Sequence, residues 1–244
     1  MADYKTHITT STVLGAAYGT GAFFGFGLPL RHCFIAGGLC GVAGMLPDLD
    51  SKSGIPQREM LCFASLLIPV LMLRRFEMLN MTSEDIVFAS MVIYLFVRFV
   101  IGRIFRRFTK HRGMWHSLPA AAIAGMATFL VCLSPELGIR LFKAWAVVIG
   151  FLSHLVLDEI YAVDWNGNSI RLKKSFGTAL KMFSGNSSAN LATYGLLILV
   201  GTFVFSDATV MEYLGYNELN VPFDARDWIN EQIQIEYPDA LKAR

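Results

Sequence analysis

Apolar segments recur along the first 206 residues and restrict the chain to folds that keep such segments away from water. They cover residues 13–30, 33–46, 60–73, 86–105, 118–133, 143–160 and 190–206. A helix needs about 17–25 apolar residues to cross the roughly 30 Å hydrocarbon core of a bilayer. Three segments meet that length well (86–105, 143–160 and 190–206), and 33–46 and 60–73 also fit buried or re-entrant helices. The pattern predicts an all-α, polytopic transmembrane helix bundle of about seven helices, within a range of five to seven.

Composition excludes several other classes. Hydrophobic residues make up 54% of the 244 residues and charged residues 16%, whereas a soluble domain has about 25% charged residues. This excludes a disordered chain, and the net charge of +2 argues against direct binding of nucleic acid. The four cysteines form no CxxC pair and lie in apolar stretches, so we expect them to be small buried hydrophobic residues.

The charge is unevenly distributed along the chain. From Asp207 onward there are eight acidic and three basic residues, which leaves 18 basic and 11 acidic residues before that point. We therefore divide the chain into a membrane-embedded domain, 1–206, and an acidic C-terminal tail, 207–244, which an anionic lipid surface would repel. Apolar residues in the tail favour an amphipathic helix that could contact a protein partner.

Glycines spaced four apart occur in the first two apolar segments, as the pairs Gly15/Gly19, Gly21/Gly25 and Gly37/Gly41. Small residues at this spacing let membrane helices approach closely. The pairs predict a tightly packed helical hairpin, and the alternative is glycine that lipid simply tolerates.

Alternating the predicted spans places the N-terminus and the loops 47–59, 103–117 and 161–189 on one side of the membrane. That side holds twelve Lys and Arg residues and the other side eight. The positive-inside rule then favours a cytoplasmic N-terminus in a multi-pass protein of the plasma membrane.

Histidine and acidic residues gather at the ends of the predicted helices, all on this cytoplasmic side. They are His7 before the first helix, Asp48 and Asp50 in the sequence PDLD, His111 and His116 in HRGMWHS, where Arg112 stands beside them, and His154, Asp158 and Glu159 in SHLVLDE. His32 is predicted to lie on the opposite side.

These residue types suit a metal site. His154 and Asp158 are four apart and share a helix face, and imidazole with carboxylate suits zinc, manganese or iron. Each cluster also has a simpler explanation: a His–Asp packing contact, an Asp-rich turn or a solvated basic loop. Together they supply four imidazoles and three carboxylates, which is enough for the two-metal arrangement found in hydrolases.

The order of an early histidine, PDLD, HRGxxHS and SHLxLD resembles the bacterial membrane-bound metal-dependent hydrolase family, also described as LexA-binding, inner-membrane-associated hydrolases. The resemblance covers roughly residues 7–185. It implies a multi-helix membrane protein with one or two divalent ions, zinc or manganese being preferred, at one membrane face. The implied metal ligands are His7, Asp48, Asp50, His111, His116, His154 and Asp158, with Arg112 as an adjacent site residue.

The chain departs from the family pattern at two places. Trp115 stands where the family commonly has threonine, which would narrow the site or close a lipid-facing wall. Glu159 and the residues after it replace a stretch that is often rich in threonine and glycine in the family. The second departure bears on the substrate more than on the metal.

The sequence thus predicts a metal-dependent hydrolase in which activated water attacks a phosphoester, such as a phospholipid or a lipid-linked phosphate. Arg112 would neutralise charge that develops on the substrate, and Glu159 or a site aspartate would act as the base. The alternative is a non-catalytic membrane anchor or regulator with a structural metal site. A metal-ion transporter ranks third, because its ligands would lie near the middle of the membrane.

Overall fold

The computed structural model describes residues 3–50, 55–103, 113–165, 170–173 and 177–215. Apart from two short strands, its regular elements are helices, as predicted. The α-helices are α1 (Tyr4–Phe26), α2 (Leu30–Ala43), α3 (Ile55–Leu71), α4 (Leu73–Met78), α5 (Ser83–Leu95), α6 (Leu118–Val131), α7 (Leu137–Ile160), α8 (Ser187–Phe205) and α9 (Ala208–Tyr213). A 3₁₀ turn covers Pro47–Asp50, and a π-helical stretch, Phe96–Ile101, continues α5. The strands β1 (Val163–Trp165) and β2 (Ile170–Leu172) pair antiparallel.

The chain divides into two units, Met1–Ser206 and Asp207–Arg244. Helices α1 to α8 belong to the first unit and α9 to the second. The predicted acidic tail otherwise lies outside the described residues.

Helix ends follow local rules of the sequence. Asp3 caps α1 by accepting a hydrogen bond from the Thr6 amide at 2.9 Å, and α1 ends at Gly27, whose φ of 64° suits a residue without a side chain. Ser117 caps α6 ahead of Pro119 in the first turn. These caps satisfy amide groups that a helix leaves unpaired at its start.

Two of the described helices, α7 and α8, are long and apolar enough to cross a membrane. Helices α2 and α6 are apolar but contain only 14 residues each, which corresponds to about 21 Å. This is fewer than the seven spans expected. The difference arises because α1 is rich in threonine and glycine and because the apolar run 86–105 is divided between α5 and the π-helical stretch.

Glycines bring α1 and α2 into close contact. A Cβ atom added to Gly37 would lie 2.9 Å from the Gly15 carbonyl oxygen, and one added to Gly19 would lie 2.7 Å from the Cys33 carbonyl oxygen. These contacts confirm the predicted hairpin for the pairs Gly15/Gly19 and Gly37/Gly41. A Cβ atom at Gly21 or Gly25 would meet nothing within 4 Å, so the pair Gly21/Gly25 makes no close helix contact within the described chain.

Helices α2 and α7 run side by side in the same direction. Ala36 packs with Ala146, and further along both helices a Cβ atom at Gly150 would lie 3.0 Å from the Ala43 Cβ atom. Helix α6 runs the opposite way, because Ala121 near its start packs with Leu155 and Cys132 at its end packs with Val147.

This arrangement gives the bundle two distinct ends. We call the end that carries His7, Asp48, His116, His154 and Asp158 the histidine end. We call the opposite end, where α2 and α7 begin and α3 and α6 finish, the cation end; it carries Arg31, Arg74, Arg75, Arg140 and Lys143. His32, next to Arg31, falls at the cation end, as predicted.

Candidate metal centre

Four parts of the fold bring the histidine end together. His7 lies in the first turns of α1, and Asp48 lies in the 3₁₀ turn after α2. His116 comes just before α6, and His154 and Asp158 lie in the last turns of α7. His7, His116, His154 and Asp158 are each at most 1% exposed, whereas the Asp48 side chain is 14% exposed. Asp48 is therefore the most accessible member of the group.

The first group that could hold a metal ion consists of His7, His154 and Asp158. His7 Nε2 lies 3.5 Å from Asp158 Oδ1. The His7 and His154 rings are stacked, with their centroids 3.6 Å apart and an interplanar angle of 12°. Helices α1 and α7 thus contribute ligand atoms to one small buried volume.

The second group consists of Asp48, His116 and His154. His154 Nε2 lies 3.7 Å from Asp48 Oδ1, and the His116 ring lies edge-on to the His154 ring with centroids 5.7 Å apart. His154 therefore belongs to both groups and joins them.

The orientation of His154 is set by the backbone. Its Nδ1 atom lies 2.7 Å from the Gly44 carbonyl oxygen, which can only accept a hydrogen bond, so Nδ1 carries the proton. The Nε2 lone pair of the neutral ring then faces Asp48. Metal-ligating histidines almost always use their other ring nitrogen in this way.

The distances and the donor set fit a divalent ion. Two ligands about 2.1 Å from a zinc ion in tetrahedral geometry are about 3.4 Å apart, close to the 3.5 Å and 3.7 Å separations observed here. These separations are too long for hydrogen bonds. His7 Nδ1 and His154 Nε2 are buried and have no hydrogen-bond partner among the described residues, which is unfavourable unless another group binds there.

Trp115 positions the chain that carries Asp48. Its indole Nε1 donates a hydrogen bond to the Leu46 carbonyl oxygen at 2.7 Å, and its ring packs edge-on against Phe151 of α7. Ser11 makes a comparable link from α1 by donating to the Gly41 carbonyl oxygen at 2.7 Å. Trp115 thus ties the turn after α2 to the start of α6, a role the sequence did not predict.

Glu159 holds a neighbouring loop. Its carboxylate accepts backbone hydrogen bonds from Gly177 at 2.7 Å, Ala179 at 2.6 Å and Leu180 at 3.3 Å. These three bonds occupy both carboxylate oxygens and give Glu159 a positioning role in the present arrangement. Its assignment as a general base stays a prediction.

The structure brings together five of the seven predicted metal ligands. The exceptions are His111, which lies outside the described residues with Arg112, and Asp50, whose side chain is likewise not described. Gly44 and Ser11 were missed, and Trp115 was expected to narrow the site rather than to hold the Leu46 carbonyl group. A glycine at the end of α2, one helical turn after Cys40, was a signal for close helix contact, but nothing in the sequence indicated that its carbonyl group would orient His154.

The described chain is thus a helical bundle with apolar, lipid-compatible helices and a buried His/Asp group at one end that could hold a metal. Residues 1–172 match the YdjM inner membrane protein family, and the chain belongs to that family. This places it among inner-membrane proteins, and the family description does not mention hydrolysis. No curated protein and no solved structure matches the chain.

Proposed function

We propose that this protein is an integral-membrane metal-dependent hydrolase that cleaves a phosphoester-type, lipid-linked substrate at the cytoplasmic membrane face. The observation that carries the proposal is the sharing of His154 between two ligand groups, one with His7 and Asp158 and the other with Asp48 and His116. Two adjoining groups with a common ligand suit one or two divalent ions, zinc or manganese by the chemistry of the donors.

Each described residue has a distinct task in this proposal. His7, Asp158 and His154 would hold an ion in the buried interior, and Asp48 and His116 would hold one nearer the surface. The chemistry that a divalent ion supplies in such a site is a water activated for attack near neutral pH. Since the Asp48 side chain is the part of the group that reaches the surface, we place substrate entry on that side.

The remaining predicted residues complete the site in the proposal. Asp50 and His111 would add ligands from the segments that flank Asp48 and His116. Arg112 would bind the phosphoryl oxygens and stabilise their charge in the transition state. The general base would be a site aspartate or, if the loop at 177–180 releases it, Glu159.

The proposal includes a multi-pass arrangement with a cytoplasmic N-terminus, which suits a membrane-bound substrate. Helix α8 has no buried residue and exposes Leu191 and Ile198 to more than 60%, which suits contact with lipid. Helices α1, α2, α6 and α7 alternate in direction as spans would. A site at helix ends would meet lipid at the level of its headgroup, where phosphoesters lie.

A second candidate function is a membrane anchor or regulator in which the metal ion joins helix ends. It is favoured by the burial of His7, His154 and Asp158, since closed coordination is typical of structural metal sites. In this case the acidic tail would contact a protein partner.

Metal analysis of the full chain in detergent tests the proposal. We expect one to two zinc or manganese ions per chain after metal loading, with a large loss in the variants His154→Ala and Asp158→Asn. His32→Ala is the matched control, because His32 lies at the cation end. Absence of specific metal in the folded wild-type protein would overturn both candidate functions.

Catalytic turnover distinguishes the hydrolase from the membrane anchor. We expect the metal-loaded protein to hydrolyse an aryl phosphate ester or a lipid phosphate in mixed micelles, and the Asp48→Asn variant to lose that activity. Tight metal binding without turnover of either probe would instead support the anchor.

A further inference from the structure

A long apolar groove lies between α2 and the segment formed by α3 and α4. Its volume is about 530 Å³, within the range of about 300–1,000 Å³ for small-molecule sites. The walls are almost entirely hydrophobic and include Phe34, Ile35, Leu39, Phe63, Leu67 and Val70. Such a lining suits an acyl chain.

Lys143 of α7 contributes the one buried cation to this lining. The residue is only 6% exposed, and it makes no hydrogen bond or ion pair with any residue that the structure describes. Burial of an ammonium group without a protein partner is unfavourable, so the position favours an anionic ligand. Arg31 adds further positive potential at Lys143.

The neighbouring Arg140 shows what a structurally satisfied cation looks like on the same helix. Its guanidinium donates to the Phe129 carbonyl oxygen at 3.3 Å and 3.4 Å and stacks over the Phe129 ring at 3.9 Å. Lys143 has no comparable partner among described residues. The two buried cations therefore differ in their contacts: Arg140 is held by Phe129, and Lys143 is available to bind a ligand in the groove.

The rim of the groove indicates the charge of the ligand. Arg74 and Glu77 line it from α4, and both are exposed. With Lys143 they give a net charge of one positive unit. This balance matches a monoanionic phosphodiester better than a dianionic phosphate, and Glu77 can accept a hydrogen bond from a headgroup hydroxyl.

We propose that the groove binds one monoanionic phospholipid, such as phosphatidylglycerol. The phosphodiester would lie against Lys143 and Arg74, and an acyl chain would lie along the apolar walls. The site is separate from the metal centre, because Lys143 precedes His154 by eleven residues on α7, or about 16 Å. The chain's membership of an inner-membrane family makes such lipids available to it.

Two variants remove the two halves of the site. Lys143→Gln removes the buried cation, and Lys5→Gln is its control at the histidine end, on an exposed residue. Gly38→Leu fills the groove, because a Cβ atom at Gly38 would meet nothing within 4 Å and the helix can stay in place. Gly21→Leu is the control, since Gly21 is equally open and lies outside the groove.

The experiment is native mass spectrometry of the full chain released from nanodiscs with equal amounts of phosphatidylglycerol and phosphatidylcholine. We expect the wild type to retain one phosphatidylglycerol. Lys143→Gln and Gly38→Leu should each lower that retention by about fivefold or more, a factor equivalent to about 1 kcal/mol per basic group near a membrane. Both controls should behave as wild type, and metal content should stay unchanged in all four variants.

Three results would overturn the proposal: equal retention of phosphatidylcholine, wild-type retention in Lys143→Gln and Gly38→Leu, or an equal loss in the two controls. Because the readout is bound lipid, it is independent of whether the protein hydrolyses anything. A failure here would leave the metal-site proposal intact, and the converse also holds.

Discussion

The two ends of α7 place buried ionisable residues in opposite situations. At the histidine end, His154 and Asp158 meet side chains from α1, from the 3₁₀ turn after α2 and from the segment before α6, at separations that suit a shared ion. At the cation end, Arg140 is satisfied by a carbonyl group and an aromatic ring, and Lys143 faces an apolar groove. One helix thus carries Arg140, which contacts Phe129, and Lys143, which makes no hydrogen bond or ion pair with a described residue.

The comparison shows that burial of a charged or polar residue does not by itself indicate function. Arg140 is as deeply buried as Asp158, yet its visible contacts are those of a packing residue. What distinguishes a binding residue is a buried polar atom left without a hydrogen-bond partner among the described residues, as for His154 Nε2. This criterion can be tested by substitutions along α7 and its neighbours.

Gly150→Leu should have the largest effect, because it disturbs both ends together. A side chain there would collide with the Cys40 carbonyl group and the Ala43 side chain and would separate α2 from α7. We expect the free energy of unfolding to fall by about 3 kcal/mol or more, which is at or beyond the usual range for overpacking. We also expect the variant to lose bound metal. Thermal unfolding in detergent measures the first effect. Gly195→Leu in α8, where a Cβ atom meets nothing, should leave both unchanged; equal damage from the two would contradict the packing argument.

His154→Ala should weaken metal binding more than His7→Ala or His116→Ala, because only His154 belongs to both ligand groups. We expect a difference of about tenfold or more, comparable with the 10–100-fold effects of losing supporting groups around a metal. Competition with a chromophoric chelator measures the affinities in the folded variants. Equal losses in the three variants would mean that the two groups do not share a ligand.

Arg140→Met and Lys143→Met should separate a packing cation from a binding one. Removal of Arg140 leaves the Phe129 carbonyl group without its buried donor, which costs about 1–3 kcal/mol. Removal of Lys143 should leave stability unchanged or raise it, because no hydrogen bond or ion pair with a described residue is lost and the cost of burying the ammonium group is removed. Unfolding midpoints in neutral detergent without added lipid provide the comparison. A larger loss for Lys143→Met would reverse the assignment.

Asp85→Asn should have the smallest effect. Asp85 is exposed, so this substitution extends the comparison to an ionisable residue at the protein surface. Hydrogen bonds from the Thr82 side chain and backbone hold the pKa of Asp85 below its ordinary value of 3.8, in a capping box at the start of α5. Because its pKa is lowered on folding, the stabilisation is present above the unfolded pKa and is lost as the pH falls through the folded value. Asp85→Asn should therefore lower the unfolding midpoint slightly at pH 7 and progressively less below pH 4. A difference that stayed constant with pH would argue against the ionised cap.

Much of the candidate site could be predicted because its residues lie at helix ends. Alternation of apolar runs places His7, Asp48, His116, His154 and Asp158 on one side without knowledge of any contact, and the structure groups all five. The glycine pairs of α1 and α2 were similarly predictable, since their spacing matches the helix repeat. Both inferences depend on periodicity, which is a local property of the sequence.

Other features depend on contacts that periodicity does not encode. Helix α7 begins at Leu137, ahead of the apolar run at 143, and Arg140 in this added segment is buried against Phe129. The Gly44 carbonyl group, Trp115 and the loop bonds of Glu159 likewise require knowledge of which segments meet. Two of the described helices have the length and composition of a membrane span, and the prediction of about seven rests on apolar runs, which show where a chain avoids water but not how long the resulting helix is.

The adjacency of Asp158 and Glu159 places the last turn of α7 between the candidate metal centre and the loop at 177–180. One carboxylate faces His7, and the next holds the amide groups of Gly177, Ala179 and Leu180. A rotation of this turn that moved Asp158 away from His7 would also move Glu159 and weaken its hydrogen bonds to the loop at 177–180. The hydrogen-exchange rate of the Ala179 amide would therefore report a change at the candidate metal centre, and its measurement requires no substitution of the residues in that centre.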